Sequence, residues 1–264
     1  MLNRIIKNKQ KKNVFWWEPK DGSHNAGDHL GKVIVQSILS TRDFEILGKK
    51  SSRNTLFSIG SVMHFAKNGD CIWGTGINGK IDKSKLKFNS LDVRAVRGPN
   101  TRDFLKKEKG IIAPEVFGDP GLLLPLFYSK ELLADSQLKR DFIVIPHMNE
   151  DFNLYAKYKS NICSPNQGAI GFTKEIVNSN FVISSSLHGV ILAEAYGIPA
   201  VFLSANSGES QFKYDDYYFG TGRNTYARAK TVEEAVRLAY RRNYRPEKYS
   251  GRSVKSISIR LVVI

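Results

Sequence analysis

Cysteine is scarce in this sequence, and long hydrophobic runs are missing altogether. The two cysteines, Cys71 and Cys163, lie far apart beside apolar residues, which favours buried free thiols in a reducing compartment over a disulfide framework or a cysteine-based zinc site. No stretch reaches the roughly 18 apolar residues of a membrane-spanning helix. Residues 1–12 are positively charged, as the start of a secretory signal is, but the apolar segment of such a signal is missing. We therefore expect a soluble, cytoplasmic protein.

Two further kinds of binding motif are also missing. The sequence contains neither a Walker phosphate-binding motif nor a G-x-G-x-x-G dinucleotide motif. Its five histidines show no paired helical spacing, and no cysteine pair joins them, so nothing indicates a metal site. The sequence thus predicts an activity that needs neither a metal ion nor a cofactor.

Positive charge is abundant instead. Lysine and arginine number 40 against 25 aspartates and glutamates, which gives a formal net charge of +15. An imbalance of this size favours an anionic partner. The basic residues are scattered, however, and no nucleic-acid-binding motif accompanies them, so we expect an anion other than nucleic acid. A non-catalytic polyanion binder stays open, supported by charge alone.

Short apolar runs alternate with longer amphipathic stretches, an order typical of strand–helix–strand units with a mostly parallel sheet. Strands are predicted at residues 13–17, 55–60, 71–76, 92–97, 142–146, 181–186 and 200–203. A polar, charged stretch at residues 128–140 separates the first four strands from the others. The sequence therefore predicts an α/β fold in two domains, 1–130 and 131–264, the second ending in a basic tail from residue 241.

The most informative motif joins a predicted strand to a predicted helix. It consists of Ser184, Ser185, Ser186, Leu187, His188 and Gly189. Ligands of open α/β sheets bind at this edge, and the free N–H groups of a helix's first turn favour a phosphate or carboxylate. Gly189 would let the backbone approach a ligand, and the His188 imidazole would exchange protons near neutral pH. A serine-rich helix cap with an incidental histidine is the structural alternative.

Other candidate residues occupy similar places in the predicted fold. Asn25, Gly27 and Asp28 lie where the first strand gives way to a helix. They serve there either as ligand contacts, with Asp28 accepting a proton, or as a helix cap and turn. Arg97, at a strand end, is suited to hold a carboxylate or phosphate through two hydrogen bonds. His147 directly follows a buried strand, a position where ligands are met.

Together these residues resemble the polysaccharide pyruvyl transferase family. The resemblance is carried, in family order, by Asn25-x-Gly27-Asp28, residues 96–103, Gly118-Asp119-Pro120-Gly121, Ile145-Pro146-His147 and above all residues 182–199. Many members have an arginine two positions before the histidine, where Ser186 stands here, and this Ser-Leu-His-Gly version is similar to the bacterial exopolysaccharide branch. The cation of that arginine must then come from elsewhere, and Arg97, Lys213 and Arg223 are the candidates.

The resemblance implies an architecture and a reaction. The architecture is two Rossmann-like domains arranged as in B-type glycosyltransferases (GT-B), with the active site in the cleft between an acceptor-side domain, 1–130, and a donor-side domain, 131–264. The implied donor is phosphoenolpyruvate, and the acceptor is a hexose of an oligosaccharide or lipid-linked glycan. The products are a cyclic pyruvate ketal and phosphate. Basic residues would add attraction to an anionic membrane that carries the acceptor.

By the same resemblance, His188 and Asp28 are expected to be catalytic. The expected substrate-binding residues are Asn25, Gly27, Arg97, His147, Ser184, Ser185, Ser186, Leu187, Gly189, Lys213 and Arg223. A nucleotide-sugar glycosyltransferase of the same two-domain plan stays the alternative. In that case Glu194 would meet a ribose, and nucleotide instead of phosphate would be released.

Overall fold

The computed structural model describes residues 10–41, 44–48, 54–204 and 208–240. The predicted basic tail at residues 241–264 lies outside these described residues. The strands are β1 (Gln10–Phe15), β2 (Phe44–Gly48), β3 (Leu56–Phe57), β4 (Cys71–Trp73), β5 (Asp92–Ala95), β6 (Arg140–Ile145), β7 (Ser179–Ser184), β8 (Ala200–Leu203) and β9 (Arg228–Ala229). The helices are α1 (Ala26–Ser40), α2 (Pro99–Lys109), α3 (Lys130–Leu133), α4 (Ala169–Val177), α5 (Leu187–Ala195), α6 (Gln211–Gly220) and α7 (Val232–Tyr240).

Within the described residues the strands form two sheets. One has five strands in the order β2-β1-β3-β4-β5, and the other has four in the order β6-β7-β8-β9. Every neighbouring pair is parallel, so the strand ends that face a ligand lie on the same edge of each sheet. The parallel α/β class predicted from the alternation of apolar runs is confirmed.

Helix α1 shows how the local sequence sets one side of the site. Asn25 caps the helix, because its side-chain oxygen accepts the backbone N–H of Asp28 at 3.2 Å. Leu30, Ile34 and Ile38 recur at helical spacing and are all fully buried. The helix therefore packs along its whole length and holds its first turn in a fixed position.

One hydrophobic core joins the two sheets. Helix α1, which follows the first strand, packs against α4 and α5 from the second half of the chain. Leu30 and Ile34 of α1 belong to the same buried cluster as Val190 and Ile191 of α5. The two helices are thus fixed relative to each other by apolar burial, the dominant stabilising term in folding.

The structure differs from the sequence prediction in the length and number of strands. Strands β2 and β9 were not predicted, and β3 is only Leu56–Phe57 instead of residues 55–60. Beyond Phe57 the chain leaves the sheet and turns at Gly60, whose φ of 92° lies in the left-handed region that favours glycine. The departure from the sheet opens space next to the end of β3.

Candidate functional site

A pocket of about 300 Å³ opens where strands of both sheets end. Trp17 follows β1, Ser61 follows β3, His147 follows β6 and Ser186 follows β7, and all four line the pocket. The first sheet reverses its strand order between β1 and β3. The pocket therefore lies at a topological switch point, where open α/β sheets bind ligands, and its volume suits a small molecule.

Eight of the residues predicted from the sequence line this pocket. They are Asn25, Asp28, Arg97, His147, Ser186, Leu187, His188 and Lys213. They come from positions as far apart as 25 and 213 and from both sheets. The fold thus brings together, in one pocket, residues that belong to separate motifs in the sequence.

Helices α1 and α5 meet at the pocket through Gly27 and His188. A Cβ atom on Gly27 would lie 2.1 Å from His188 Nδ1, so a side chain at position 27 would displace the imidazole. The backbone N–H groups of Leu187 and His188, in the first turn of α5, have no hydrogen-bond acceptor within the part of the chain that the structure describes. Unpaired N–H groups at a helix N-terminus favour an anion.

The Nε2 edge of the His188 ring faces the carboxylate of Asp119. Its Nε2 is buried and lies 3.7 Å from Asp119 Oδ2, and neither atom has a hydrogen-bond partner among the described residues. The other oxygen of Asp119 accepts the N–H of Gly121 at 2.8 Å, which holds the carboxylate in place. Asp119 thus lies behind the ring of a pocket-lining histidine, the position of a carboxylate that orients a catalytic imidazole.

Asp28 is the second predicted catalytic residue in the pocket. Burial raises the pKa of its carboxyl to about 6, with His188 and Lys213 acting in the opposite direction. A Cβ on Gly60 would lie 2.5 Å from Asp28 Oδ1, so this glycine is needed to make room for the carboxylate. A carboxyl group with a pKa near 6 can both give and take a proton near neutral pH.

Replacing Asp28 by asparagine should stabilise the protein near neutral pH. The pKa of Asp28 rises from its usual 3.8 to about 6 on folding, so the folded state binds more protons in this window and loses stability as pH rises through it. Above about pH 6 the ionised carboxyl costs about 3 kcal/mol. We expect a higher Tm for Asp28→Asn than for wild type near pH 7 and equal Tm values below about pH 4. Thermal melts across this range measure the effect, and a pH-independent difference would contradict it.

Arg97 lines the pocket, but its guanidinium is held by the fold. Its Nε donates to Asp216 Oδ2 at 3.0 Å, Nη1 donates to Ser61 Oγ at 2.7 Å, and Nη2 donates to the Ile77 carbonyl at 2.5 Å. The side chain is 1% exposed. Each nitrogen of the guanidinium therefore already has an acceptor, which makes Arg97 a poor source of new hydrogen bonds to a ligand.

Lys213 is the other predicted cation at the pocket. Its ammonium pairs with Glu209 Oε2 at 2.7 Å, and Glu209 Oε1 pairs with Lys80 Nζ at 2.5 Å. Burial lowers the pKa of Lys213, and Glu209 opposes this effect. Burial alone would raise the pKa of Glu209, but Lys213 and Lys80 bring it down to about 2. The carboxylate therefore stays ionised at neutral pH.

His147 contributes a neutral imidazole. Burial, together with the positive charge of Lys213, lowers the pKa of His147 to about 4. Its backbone N–H donates to Ser185 Oγ at 2.9 Å, which fixes the residue at the end of β6. At neutral pH this ring carries no charge and can accept a proton from a hydroxyl group.

Three residues of the serine-rich motif shape the site from behind. Ser184 Oγ has the carbonyls of Ser186 at 2.8 Å and Ile145 at 3.2 Å as acceptors, and it accepts the N–H of Ser186 at 3.0 Å. Ser185 Oγ is used by the backbone of His147. A Cβ on Gly189 would lie 2.4 Å from Ser184 Oγ. Ser184, Ser185 and Gly189 are buried and do not line the pocket, so the direct ligand contact predicted for them is replaced by positioning of their neighbours.

Arg223 lies outside the pocket. Its two terminal nitrogens bind the two carboxylate oxygens of Glu194 at 2.8 and 2.7 Å, and its guanidinium lies 4.6 Å from the ring of Tyr218. Glu194 also accepts the Tyr217 hydroxyl, and it does not line the pocket either. This geometry does not support a substrate-binding role for Arg223. It also does not support the contact between Glu194 and a ribose that is expected of a nucleotide-sugar enzyme.

The pocket also contains side chains that sequence reasoning missed. Among them are Trp17, His64, Phe65, Asn78 and Glu209. Trp17 had a usable signal, since it follows a strand in the same way as His147. Glu209 had none, because it stands in a polar loop whose position in space depends on α6. Asp119 stands in a Gly-Asp-Pro-Gly stretch that is typical of a turn, which accounts for the contact of its Oδ1 but not for the oxygen that faces His188.

No group of three or more His, Cys, Asp or Glu side chains within residues 10–41, 44–48, 54–204 and 208–240 is arranged to hold a metal ion. Over the same ranges, no helix combines the length and the apolar character needed to cross a membrane.

Comparisons with known proteins give a consistent picture. The family model for polysaccharide pyruvyl transferase matches residues 25–207. Uncharacterized protein L143 of Acanthamoeba polyphaga mimivirus is 25% identical over 224 residues, which is 79% of this chain and 75% of that protein. Succinoglycan biosynthesis protein ExoV of Rhizobium meliloti is 26% identical over 216 residues, 77% of this chain and 63% of that protein. The match thus spans less than two thirds of the length of the succinoglycan protein.

A solved structure shows a weaker similarity. An uncharacterized protein of Klebsiella pneumoniae superposes with a TM-score of 0.45 at 14% sequence identity, covering 82% of this chain and 90% of that one.

The residues matched by the family model include the first turn of α1, Asp119, His147 and the whole of α5. The matched segment therefore contains the two helix N-termini that meet at the pocket.

Proposed function

Because the chain belongs to the polysaccharide pyruvyl transferase family, we propose that it transfers pyruvate from phosphoenolpyruvate to a hexose of a cell-surface or exopolysaccharide repeat unit, forming a cyclic ketal and releasing phosphate. One observation carries the proposal: two helix N-termini meet at one pocket, where His188 stands beside unpaired backbone N–H groups. Similarity to a succinoglycan biosynthesis protein supports a role in polysaccharide synthesis.

The pocket offers two kinds of anion site to this donor, which carries both a phosphate and a carboxylate. The first is the start of α5, where the N–H groups of Leu187 and His188 and the hydroxyl of Ser186 are available. The second is the ammonium of Lys213. Two separate anion sites suit a small molecule with two anionic groups better than they suit a neutral sugar.

The proposed reaction moves two protons. An acid protonates the methylene carbon of the donor, which becomes a methyl group, and a sugar hydroxyl attacks the cationic carbon next to it and loses its proton. The bond from that carbon to the phosphate oxygen then breaks, and a second hydroxyl of the sugar closes the ring. One hydroxyl proton replaces the proton spent on the methyl group, and the other leaves with phosphate.

Three side chains in the pocket are suited to these proton transfers. His188 is our choice for the acid that protonates the donor, because its ring lines the pocket and Asp119 lies 3.7 Å behind its Nε2, where it can orient the imidazole. The neutral imidazole of His147 and the carboxyl of Asp28, with pKa values of about 4 and about 6, are candidates to take the hydroxyl protons. No step in this scheme requires a metal ion.

The first half of the chain supplies an aromatic wall for the acceptor sugar. Trp17, His64 and Phe65 line the pocket, and Phe65 is 43% exposed. The Phe65 ring packs on His64 at 4.0 Å and on Phe15 at 5.1 Å, so it is held in place although one side is open. Flat aromatic faces pack against the apolar faces of sugar rings. This arrangement supports an acceptor side in domain 1–130 and a donor side in domain 131–264, arranged as in GT-B enzymes.

Replacing Phe65 by leucine should weaken acceptor binding. Leucine keeps the apolar contact with Phe15 but loses the flat face, so we expect the KM for the glycan to rise about threefold to tenfold while the KM for phosphoenolpyruvate stays the same. Phe65→Tyr keeps the flat ring and should have the wild-type KM for the glycan. Leu126→Ala, which alters a residue that is 63% exposed outside the pocket, is the control. An unchanged glycan KM in Phe65→Leu would remove this ring from the acceptor site.

A lipid-linked acceptor would bring the protein to the inner face of the cell membrane. The net charge of +15 supports attraction to anionic lipids, at about 1 kcal/mol for each basic residue near the surface. We propose cytoplasmic location with peripheral membrane contact. Retention of the protein on vesicles with anionic lipid at low salt, and its release at high salt, would support this contact.

The decisive experiment is an assay of the purified protein. It is incubated with phosphoenolpyruvate and candidate glycans, and both the released phosphate and the mass of the glycan are measured. Phosphate release that depends on the glycan, together with the mass gain of a pyruvyl ketal, is the expected result. Turnover of a nucleotide sugar with release of nucleotide would instead favour the glycosyltransferase alternative, and salt-sensitive polyanion binding without turnover would favour a non-catalytic protein.

A further inference from the structure

We propose that Glu209 is an internal competitor for the donor: its carboxylate and an anionic group of the substrate compete for the ammonium of Lys213. The inference rests on the proposed function only for the identity of the donor. The competition itself concerns any small phosphate or carboxylate that enters the pocket, and it makes Glu209 a residue that sets donor affinity.

The contacts of Glu209 are those of a bound anion. Its two carboxylate oxygens lie 2.7 Å from Lys213 Nζ and 2.5 Å from Lys80 Nζ, and Oε1 is 3.9 Å from His147 Nε2. Glu209, Lys213 and His147 all line the pocket. The carboxylate thus holds the place, between two ammonium groups and beside an imidazole, that a ligand's phosphate or carboxylate would take.

Burial explains why this place is filled by the protein's own carboxylate. The side chains of Lys213 and Glu209 are 8% and 10% exposed. A buried ammonium without a counter-ion is strongly unfavourable, so Lys213 requires an anion beside it. Either Glu209 or a substrate group can meet that requirement, and the two therefore exclude each other from the closest position.

The other cation of the pocket cannot take over this role. Among the described lining residues the lysine and arginine side chains are Arg97 and Lys213. Arg97 donates to Asp216, Ser61 and the carbonyl of Ile77, all of which are parts of the protein core or the pocket wall. Lys213 is therefore the pocket cation whose counter-ion can be exchanged.

The exchange is favoured by charge and by the weak second partner of Glu209. The Lys80 side chain is 38% exposed, so solvent weakens its pair with Glu209. A phosphate ester carries up to two negative charges against one on Glu209, and it can therefore replace the carboxylate on Lys213. Glu209 would then lower the affinity for weaker anions more than for phosphates.

The test uses the Glu209→Gln variant of the whole chain and inorganic phosphate as the probe. Glutamine keeps the shape and removes the charge, so phosphate should bind about tenfold more tightly than to wild type, because it no longer has to replace a carboxylate. The Kd is measured by titration calorimetry at fixed ionic strength. Glu175→Gln is the matched control, since Glu175 is a part-buried carboxylate paired with Arg140 outside the pocket, and its Kd for phosphate should not change.

Two further variants keep the proposal falsifiable if Glu209→Gln folds poorly. Glu209→Asp retains the charge on a shorter side chain, so its phosphate Kd should lie between those of wild type and glutamine. The double variant Glu209→Gln, Lys213→Gln removes both charges and should bind phosphate more weakly than wild type. An unchanged or higher Kd in Glu209→Gln, or in Glu209→Asp where the glutamine variant does not fold, would overturn the proposal, because Glu209 would then position Lys213 or contact the ligand itself.

This experiment is independent of the proposed reaction. Phosphate binding is measured without turnover, so the shift in Kd is expected even if phosphoenolpyruvate is not the donor. If the donor assignment is correct, the KM for phosphoenolpyruvate falls in Glu209→Gln in parallel with the phosphate Kd. A lower phosphate Kd without any turnover of phosphoenolpyruvate by wild type would support the competition and reject the proposed donor.

Discussion

Replacing His188 by alanine should reduce pyruvyl transfer by about 10²- to 10⁴-fold, the contribution of one general acid–base group, and leave the protein folded. The side chain lies at the pocket, is 14% exposed, and makes no hydrogen bond through Nε2 among the described residues. Its removal therefore breaks no hydrogen bond of that nitrogen. The rate of ketal formation and a thermal melt, measured on the same preparation, separate the two effects.

A second variant moves the His188 ring without removing it. Gly27→Ala would put a Cβ 2.1 Å from His188 Nδ1, so the imidazole has to shift, and a misplaced proton donor loses rate steeply. Gly168→Ala is the matched control, because a Cβ there meets no atom within 4 Å and the residue has a φ of −67°. We expect Gly27→Ala to lower kcat at least about tenfold and Gly168→Ala to retain wild-type activity.

Controls decide what a loss of activity means. His24→Ala alters an exposed histidine and should be silent. If His188→Ala keeps most of the wild-type rate, the histidine has no part in the proton transfers, and Asp28 becomes the remaining candidate for the acid. If Gly27→Ala is fully active while His188→Ala is not, the position of the ring is less constrained than the contact with Gly27 indicates.

The helix starts were predictable because their signals are local. Asn25 caps α1 and the serine-rich motif precedes α5, as the sequence indicates. Strand–helix order alone predicts that such starts lie on one edge of a parallel sheet. The family resemblance and the classification as a polysaccharide pyruvyl transferase are confirmed by the match over residues 25–207. These predictions depend on residues that are neighbours in the chain.

The ion-pair partner of an individual charged side chain was not predictable, because such partners are remote in sequence. Arg97 lies at a strand end as predicted, yet its carboxylate partner is Asp216, which is 119 positions away. The stretch at residues 212–219 mixes aromatic and acidic side chains, a composition typical both of a sugar-binding site and of a helix packed on the core. Tyr214, Tyr217 and Tyr218 are almost fully buried, so the core interpretation holds for these rings. Single-sequence reasoning identifies which residues can bind an anion but not which are already occupied.

Removing Asp216 should cost about 3 to 5 kcal/mol of stability, because it leaves the charge of Arg97 buried and unpaired. Asp216 is fully buried and accepts hydrogen bonds from Arg97 Nε at 3.0 Å, from the Thr101 N–H at 2.9 Å and from Thr101 Oγ1 at 2.7 Å. A Cβ on Gly98 would overlap the Asp216 backbone oxygen at 1.7 Å. Helix α6 therefore packs directly against the start of α2.

Urea unfolding of Asp216→Ala measures this loss, with Asp92→Ala as the control. Asp92 forms its ion pair with Arg94 at the surface, where both side chains are about 40% exposed, and its loss should cost no more than about 1 kcal/mol. The double variant Arg97→Met, Asp216→Ala should be more stable than Asp216→Ala alone, because methionine removes the stranded charge. Equal destabilisation by Asp216→Ala and Asp92→Ala would show that water reaches Arg97. In that case its guanidinium would also be accessible to the donor, and Arg97 would return as the cation that replaces the family's arginine.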